Sequence, residues 1–288
     1  MNIKIIIRYL SIMFFACIIF FSCKKDFSKN GPSVTYWDNS QAYLKIIDLS
    51  PNFSAITKGR DTFNILVNGQ KINGSALSFN SIFPYAISPT TNTYTSTYAA
   101  VPIGNNTIQL AMGINKPDSV VYATIHETMS GGQRYSLLIT DSILKGSNDS
   151  SKMFVKDDYA DPSVVPNVPL NEYVLLRFGH LVLNDTGKVD LWSYARNAAL
   201  FSKIRPDSIS QFALSGYNYS AIDTFYVLRS TTASLPFAQR QILAKIAFNA
   251  SVTGSNISPV GRAFTILYKG DFKVTSGAKA PAMLTYIQ

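Results

Sequence analysis

Two histidines, His126 and His180, are the only side chains in this sequence that ordinarily titrate near neutral pH. His126 sits in the strand-like stretch "VVYATIHET" (Val120–Thr128) beside Glu127, so the two side chains point to opposite faces, which argues against an acid–base pair. His180 falls at the position equivalent to Asp48 in an internal repeat and reads as a rim or surface residue. No Gly-x-Ser-x-Gly elbow precedes a helix, and neither a Walker loop nor a dinucleotide fingerprint is present. "KDDYADP" offers Asp157, Asp158 and Asp161, oxygen ligands of the kind Ca²⁺ prefers. Its spacing is not that of an EF-hand and it contains no glycine, so it reads as a solvated charge run. No catalytic residue, metal or cofactor is expected, and the chain reads as a non-enzyme.

Binding chemistry has more candidates. Glycan recognition on β-sandwiches relies on exposed aromatic rings, and Trp37, Trp192 and the Tyr217 and Tyr219 of "YNY" are available for it. With 16 Tyr and 18 Phe in the chain, most rings belong to cores and strand pairs instead. The polar-aromatic "TTNTYTSTY" (Thr90–Tyr98) is a second possible contact surface. Three Asp-Ser-apolar triplets, with Ser119, Ser142 and Ser208 at their centres, resemble acceptors of bacterial O-glycosylation.

The chain has two cysteines, Cys17 and Cys23. Lys4 and Arg8 supply a positive start, Tyr9–Phe21 is a thirteen-residue, largely apolar run, and Ser22 is a small residue before Cys23. That run is short for a membrane span, which needs about 20 apolar residues. The layout resembles a bacterial lipoprotein signal, cut before Cys23, whose thiol and new amino group then take acyl chains. Phe20 and Phe21 replace the Leu and small residue usual before such a cysteine. An uncut membrane anchor and a leader cut elsewhere are the alternatives. Lipidation removes Cys17 with residues 1–22 and leaves no disulfide, no multi-cysteine zinc site and no free thiol.

Composition narrows the fold. The 17 acidic residues include only two Glu, Glu127 and Glu172, and Asp favours turns and caps where Glu favours helix surfaces. Abundant Tyr, Phe, Val, Ile and Thr add to an all-β reading. Net charge is +9, falling to +7 without Lys4 and Arg8, but the basic residues are scattered, so nucleic-acid binding is not expected.

The elements that would position any site are short β-branched or aromatic runs between turn residues. "AYLKIIDL" (Ala42–Leu49), "DTFNILVNG" (Asp61–Gly69), "NNTIQLAMG" (Asn105–Gly113), "VVYATIHET" and "QRYSLLIT" (Gln133–Thr140) each have strand length. Asn68-Gly69 and Gly131-Gly132 read as hairpin turn pairs. "FAQRQILAKIAF" (Phe237–Phe248) is the best helix candidate, and it can also be read as a long strand. The series then repeats. "YLKIIDL" matches "LLRFGHL", aligning Lys45 with Arg177; "FNIL" matches "VDLW", "SIFPYA" matches "SISQFA" and "GQRYSLLI" matches "GRAFTILY", at offsets of 132, 126, 127 and 129. Tandem β-sandwiches are therefore expected at 42–145 and 172–288. A polar lipidated tether at 23–41 precedes them, and a Ser-, Asp- and Pro-rich linker at 146–171 separates them.

The motifs "YLKIIDLSP" (Tyr43–Pro51), "FNILVNG" (Phe63–Gly69) and "RFGHLVLNDTGKVDLW" (Arg177–Trp192) resemble the bacterial secreted family catalogued as domain of unknown function 4397. The second unit lacks the Ser-Pro and the Asn-Gly turn of the first. The resemblance implies two tandem immunoglobulin-like sandwiches on a bacterial surface and brings no catalytic residues with it. The expected role is a binding or interaction module of the cell envelope, lipid-anchored in the outer membrane and facing the periplasm or the exterior. Its partner would be a cell-surface protein or glycan; the alternative is an accessory glycan-binding subunit of a polysaccharide uptake system. Cys23→Ala should block lipid attachment and leave the uncut precursor. An unchanged, processed, membrane-bound product in labelled-lipid and fractionation assays would refute the anchor.

Overall fold

Burial distinguishes two kinds of strand here. β1 (Ala42–Asp48) is buried at all seven positions, whereas β2 (Thr62–Val67) alternates between half-buried and buried. A strand covered on both faces reads as a continuous apolar run, and one with a wet face alternates. The computed structural model describes residues 38–57, 59, 62–84, 98–112, 120–141, 154–157, 174–217, 222–249 and 262–287. These are almost entirely β, as the composition predicts. One short helix, α1 (Phe53–Ile56), follows β1. The first set of strands continues with β3 (Gln70–Lys71), β4 (Leu77–Ser78), β5 (Ile82–Phe83), β6 (Ala99–Val101), β7 (Gly104–Met112), β8 (Val120–Met129), β9 (Arg134–Ile139) and β10 (Phe154–Lys156).

They form two sheets. One runs β10-β9-β1-β5, with β6 also on β1; the other runs β3-β2-β7-β8, with β4 on β2. Leu44, Ile46 and Leu137 from the first sheet share a core with Phe63, Ile65, Ile108 and Leu110 from the second. The second set repeats the plan: β11 (Val174–Leu183), β12 (Val189–Ser193), β13 (Ala198–Ile204), β14 (Ser208–Ile209), β15 (Ala213–Leu214), β16 (Ile222–Arg229), β17 (Ile242–Asn249), β18 (Arg262–Asp271) and β19 (Ala282–Ile287). Its sheets run β14-β11-β18-β19, with β15 on β11, and β13-β12-β16-β17. Leu176, Phe178, Phe264 and Ile266 meet Leu191, Phe225, Val227 and Phe248 between them.

The repeat read from sequence holds to the residue. β1 pairs with β9 in parallel, Lys45 opposite Ser136, and β11 pairs with β18 in parallel, Arg177 opposite Thr265. Offsets of 132 and 129 carry the first pair onto the second. The pairing of Ile47 with Ile82 likewise maps onto that of Gly179 with Ile209.

The two sandwiches are not beads on a string. Residues Trp37–Gln288 group as one unit, and Leu181, Leu267 and Tyr286 of the second repeat belong to the core cluster of the first. Alternation explains how: Leu44 and Ile46 fill the first core and Leu176 and Phe178 the second, so Lys45 and Arg177 occupy the opposite faces of their strands. Those two faces pack on each other, which makes the β1 and β11 sheets middle layers, each covered by an outer one.

Charge sits inside this junction. Lys45 and Arg177 are each 1% exposed. Arg177 pairs with Asp157 at 2.6 Å, donates from Nε to Thr265 Oγ1 at 2.8 Å, and stacks 4.5 Å from the Phe212 ring centroid. Asp157 also accepts from Ser136 Oγ and Tyr98 Oη, both at 2.8 Å. The Lys45 ammonium lies 4.4 Å from the Tyr98 ring centroid and 5.4 Å from that of Tyr286. Burial pulls Lys45 down to about 7; Asp157 opposes the shift, and Arg177 and Arg134 add to it. Burial also works against the charge on Arg177, but Asp157 and Tyr286 outweigh it.

Three sequence expectations change. Phe154–Lys156, placed in the linker, is β10, antiparallel to β9, and Asp157 beyond it is a buried counterion instead of a solvated charge. Asp158 and Asp161 lie outside the described residues. Gly131-Gly132 is not a hairpin turn, because β8 and β9 belong to different sheets. It carries the chain between layers past the backbone of Asn39, where a Cβ on Gly131 would come 2.0 Å from the Asn39 carbonyl oxygen. Phe237–Phe248 is a short 3-10 turn at Phe237–Gln239 followed by β17, so the strand alternative is the correct one. Asn68-Gly69 does close the β2–β3 hairpin, with φ of 50° and 81°.

Removing Asp157 strands a buried guanidinium. Asp157→Ala should therefore cost about 3–5 kcal/mol of unfolding free energy in urea, and an apolar replacement of both Asp157 and Arg177 should recover much of it. A loss below about 1 kcal/mol, the range of exposed ion pairs, would refute this role.

Candidate binding face on the second outer sheet

β12 reads Val-Asp-Leu-Trp-Ser, and its alternation turns Val189, Leu191 and Ser193 into the second core. Asp190 and Trp192 take the other face, and Tyr194 follows them at the same spacing. Trp192 pairs with Tyr226 on β16, and Tyr226 pairs with Lys245 on β17, so a row of Trp, Tyr and Lys crosses three strands. The Ser230–Arg240 segment then folds back over this row through two 3-10 turns. It places the Phe237 ring 5.2 Å from that of Tyr226, 6.0 Å from Tyr194 and 6.4 Å from Trp192. The Arg240 guanidinium stacks 3.9 Å from the Trp192 centroid while its Nε donates to the Leu235 carbonyl at 2.7 Å. The Tyr226 and Tyr194 contacts are edge-on and the Trp192 contact is tilted, and such aromatic pairs are each worth about 0.5–1.5 kcal/mol beyond area burial. Tyr194 remains 62% exposed at the edge of the cluster.

A buried network beneath fixes the turn that carries Tyr194. Asp223 accepts from the hydroxyls of Ser193 and Tyr217 and from the backbone N–H of Ala195 at 2.8 Å and of Thr224 at 2.6 Å. Burial raises the carboxyl's pKa, but these four donors outweigh it and hold Asp223 below the usual carboxylate range. Tyr217 is pushed well up, first by burial and then by its bond to the carboxylate. Arg196 lies over the Tyr217 ring at 4.5 Å and donates to the carbonyls of Ser215 and Gly216 at 2.6 and 2.7 Å. Tyr217, expected as a ligand contact, is thus a core residue at 8% exposure that supports the face from below.

Of the other predicted residues, Trp192 is half-buried at the centre of this cluster. Ser208 is half-buried on β14 and donates to the Arg205 carbonyl at 2.6 Å. Trp37, Tyr219, Ser119, Ser142 and Cys23, with the leader and most of the tether, lie outside the described residues. Tyr194, Tyr226, Phe237 and Arg240 were missed, although Trp192 and Tyr194 stand two apart in sequence and so share a strand face. Phe237 and Arg240 gave no such signal, because only the return of the segment brings them in.

The histidines are apart. His126 is exposed on β8, its Nδ1 3.2 Å from Thr107 Oγ1. His180, expected at a rim, is fully buried because it shares the face of β11 that carries Leu176 and Phe178 into the second core, where it meets Tyr268. Its Nε2 lies 3.3 Å from Asp185, which Arg229 holds at 2.8 and 3.1 Å, and burial keeps the imidazole below its ordinary pKa. Asp48, at the equivalent position, accepts the Ser50 N–H at 3.0 Å through one oxygen, and its other oxygen has no partner. Burial first, and then the Asp141 carboxylate, raise Asp48 to about 7. Among the described residues, no three His, Cys, Asp or Glu side chains come together as a metal site would need, and no helix is long and apolar enough to cross a membrane.

The chain matches no family profile and no curated protein. Among solved structures it is similar to the Bacillus anthracis TIE protein, at 11% identity and a TM-score of 0.20, over 81% of this chain and 34% of that one. A leucine-rich repeat protein from Bacteroides thetaiotaomicron follows at 9% identity and a TM-score of 0.17, over 73% and 24% of the two chains. A candidate adhesin from Bacteroides ovatus, at 6% and 0.17, is matched over 85% of this chain and 94% of that one. This chain thus spans about a third of the first neighbour and a quarter of the second. Similarity at this level says nothing about activity.

Because Asp48 has a raised pKa in the folded state, its contribution is present below about pH 4 and lost as pH rises through about 7. Asp48→Asn should remove that slope, so the variant gains urea stability relative to wild type at pH 8 compared with pH 4.5. A difference between the two proteins that stays constant across that window would show that Asp48 titrates normally.

Proposed function

We propose that this chain is a non-enzymatic lipoprotein of the bacterial outer membrane, anchored through Cys23. Two immunoglobulin-like sandwiches, of the kind the resemblance to domain of unknown function 4397 implies, would present the aromatic face of the β13-β12-β16-β17 sheet to a cell-surface partner. One observation carries this reading: Trp192, Tyr194, Tyr226 and Phe237 cluster on the solvent side of an outer sheet, with Tyr194 more than half exposed. Aromatic rings there are not needed for a core, which lies on the opposite side of the same strands. Trp192, Tyr226 and Phe237 are half-buried and Tyr194 stands exposed at their edge, and exposed aromatic surface of this kind marks interaction sites.

The same feature supports the alternative, an accessory glycan-binding subunit of a polysaccharide uptake system, because sugar rings present C–H faces that stack on aromatic planes. Titrating the full-length protein against a panel of neutral and acidic glycans separates the two. Binding that Tyr194→Ala abolishes supports the glycan reading. No binding to the panel, with unchanged growth on polysaccharides after deletion, would eliminate it and leave a protein partner. Hydrolysis of any glycan, lost in His126→Ala, would overturn the non-enzymatic role altogether.

A further inference from the structure

One end of the second sandwich gathers exposed positive charge. Lys188, Lys203, Arg205, Lys273 and Lys279 are all exposed, and they flank the close of β13 and β18 and the opening of β12 and β19. Backbone pairing makes their turns neighbours. Val189 stands opposite both Ile204 and Arg229, which sets Lys188 beside Arg205, and the Ser230 N–H donates to the Lys188 carbonyl at 3.1 Å. The Phe272 N–H donates to the Leu183 carbonyl at 2.9 Å and the Asp271 N–H to that of Lys279 at 2.8 Å. Arg229 joins the two groups, its guanidinium 5.5 Å from the Phe272 ring centroid. Phe272 itself stays 41% exposed among these cations.

The carboxylates of this end turn inward and hold the turns that carry the lysines. Asp190 accepts the Lys203 N–H at 2.7 Å, Asp271 that of Lys273 at 3.0 Å, and Asp185 that of Gly187, just before Lys188, at 3.0 Å. All three are buried, and Asp207 is the one described carboxylate here that is exposed. The same end lies away from the chain's entry into β1 at Ala42. At the far end of β1 the Asp48 carbonyl accepts the Asn80 N–H at 2.8 Å, and the ring of Phe79 lies 5.1 Å from Lys269 Nζ, near the close of β18.

We infer that this end docks on the headgroup layer of an anionic phospholipid membrane, with Phe272 entering the interface and the five cations on lipid phosphates. An exposed ring set among cations matches a charged layer over an apolar one, and such binding grows with buried apolar area and with attraction to anionic lipid. A soluble polyanion would use the charges and leave Phe272 nothing to enter. A protein held by its N-terminus presents this end to a second membrane, and that part of the inference rests on the anchor proposed above.

Full-length protein reconstituted into phosphatidylcholine vesicles tests this through the capture of labelled acceptor vesicles. Flotation of the protein with its donor vesicles reads the anchor separately; protein that fails to float with them is scored by its own flotation with the acceptors. Acceptors containing phosphatidylglycerol should bind at least about twentyfold better than pure phosphatidylcholine, the worth of two cations at about fivefold each. Lys188→Ala combined with Lys273→Ala should remove most of that preference, and raised salt should do the same. Phe272→Ala should weaken binding about fivefold at low and at high salt, whereas Phe272→Trp should preserve it. Lys71→Ala with Lys156→Ala, which removes exposed lysines of the first repeat, should change nothing. Equal binding of both acceptors would overturn the inference. A Lys71 and Lys156 pair as damaging as the Lys188 and Lys273 pair would overturn it too, because net charge alone would then be responsible. Binding indifferent to Phe272→Ala and fully competed by duplex DNA would make this a polyanion site and overturn the membrane partner.

Discussion

Lys45, Arg177 and Asp157 form a buried charged cluster between the two middle sheets, and the rest of the structure is arranged around it. Lys45 and Arg177 occupy equivalent positions of the two repeats, and Asp157 pairs directly with Arg177. Burying an ion is costly unless geometry and hydrogen bonds repay it. Arg177 has the direct pair, the Thr265 hydroxyl and a ring to stack on. Lys45 has two tyrosine faces, and burial moves it toward neutrality.

Much of this was legible in the sequence, for physical reasons that can be named. The runs "YLKIID", "RYSLLI" and "LLRFGHLVL" are continuously apolar apart from one or two residues, and they proved to be the strands covered on both faces. The repeat could be read because strand register preserves spacing even where side chains diverge. Asp157 could not be read as a partner of Arg177, because composition places it in a Ser- and Asp-rich linker, and only the folding of β10 onto β9 brings it inside. His180 was misplaced for a related reason: a polar residue near the end of a strand looks like a rim residue until the neighbouring sheet covers it. The aromatic face was half visible. Trp192 and Tyr194 share a face by spacing alone, while Phe237 and Arg240 arrive through a return segment whose path no local pattern records.

Burial of the middle layers also decides where function can reside. Their faces are spent on two cores and a junction, so recognition is left to the solvent sides of the outer sheets and to the loops. Of the two outer sheets, the second concentrates rings and cations, and the Ser193–Asp223–Tyr217 network keeps its Tyr194 turn rigid. A rigid platform loses little conformational entropy when a ligand arrives, which favours affinity from few contacts.

The parallel pairing of β1 with β9 has a mechanical consequence. The chain that precedes Ala42 enters directly into β1, which is hydrogen-bonded to β9 on one side and to β5 and β6 on the other. A pull along that strand loads these bonds together, in shear, instead of opening them one after another. The strand must also drag Lys45 out of the junction before it can slide. Resistance to force is governed by the rate of unfolding more than by equilibrium stability. A body held by this end would thus grip longest when tension runs parallel to its first strand.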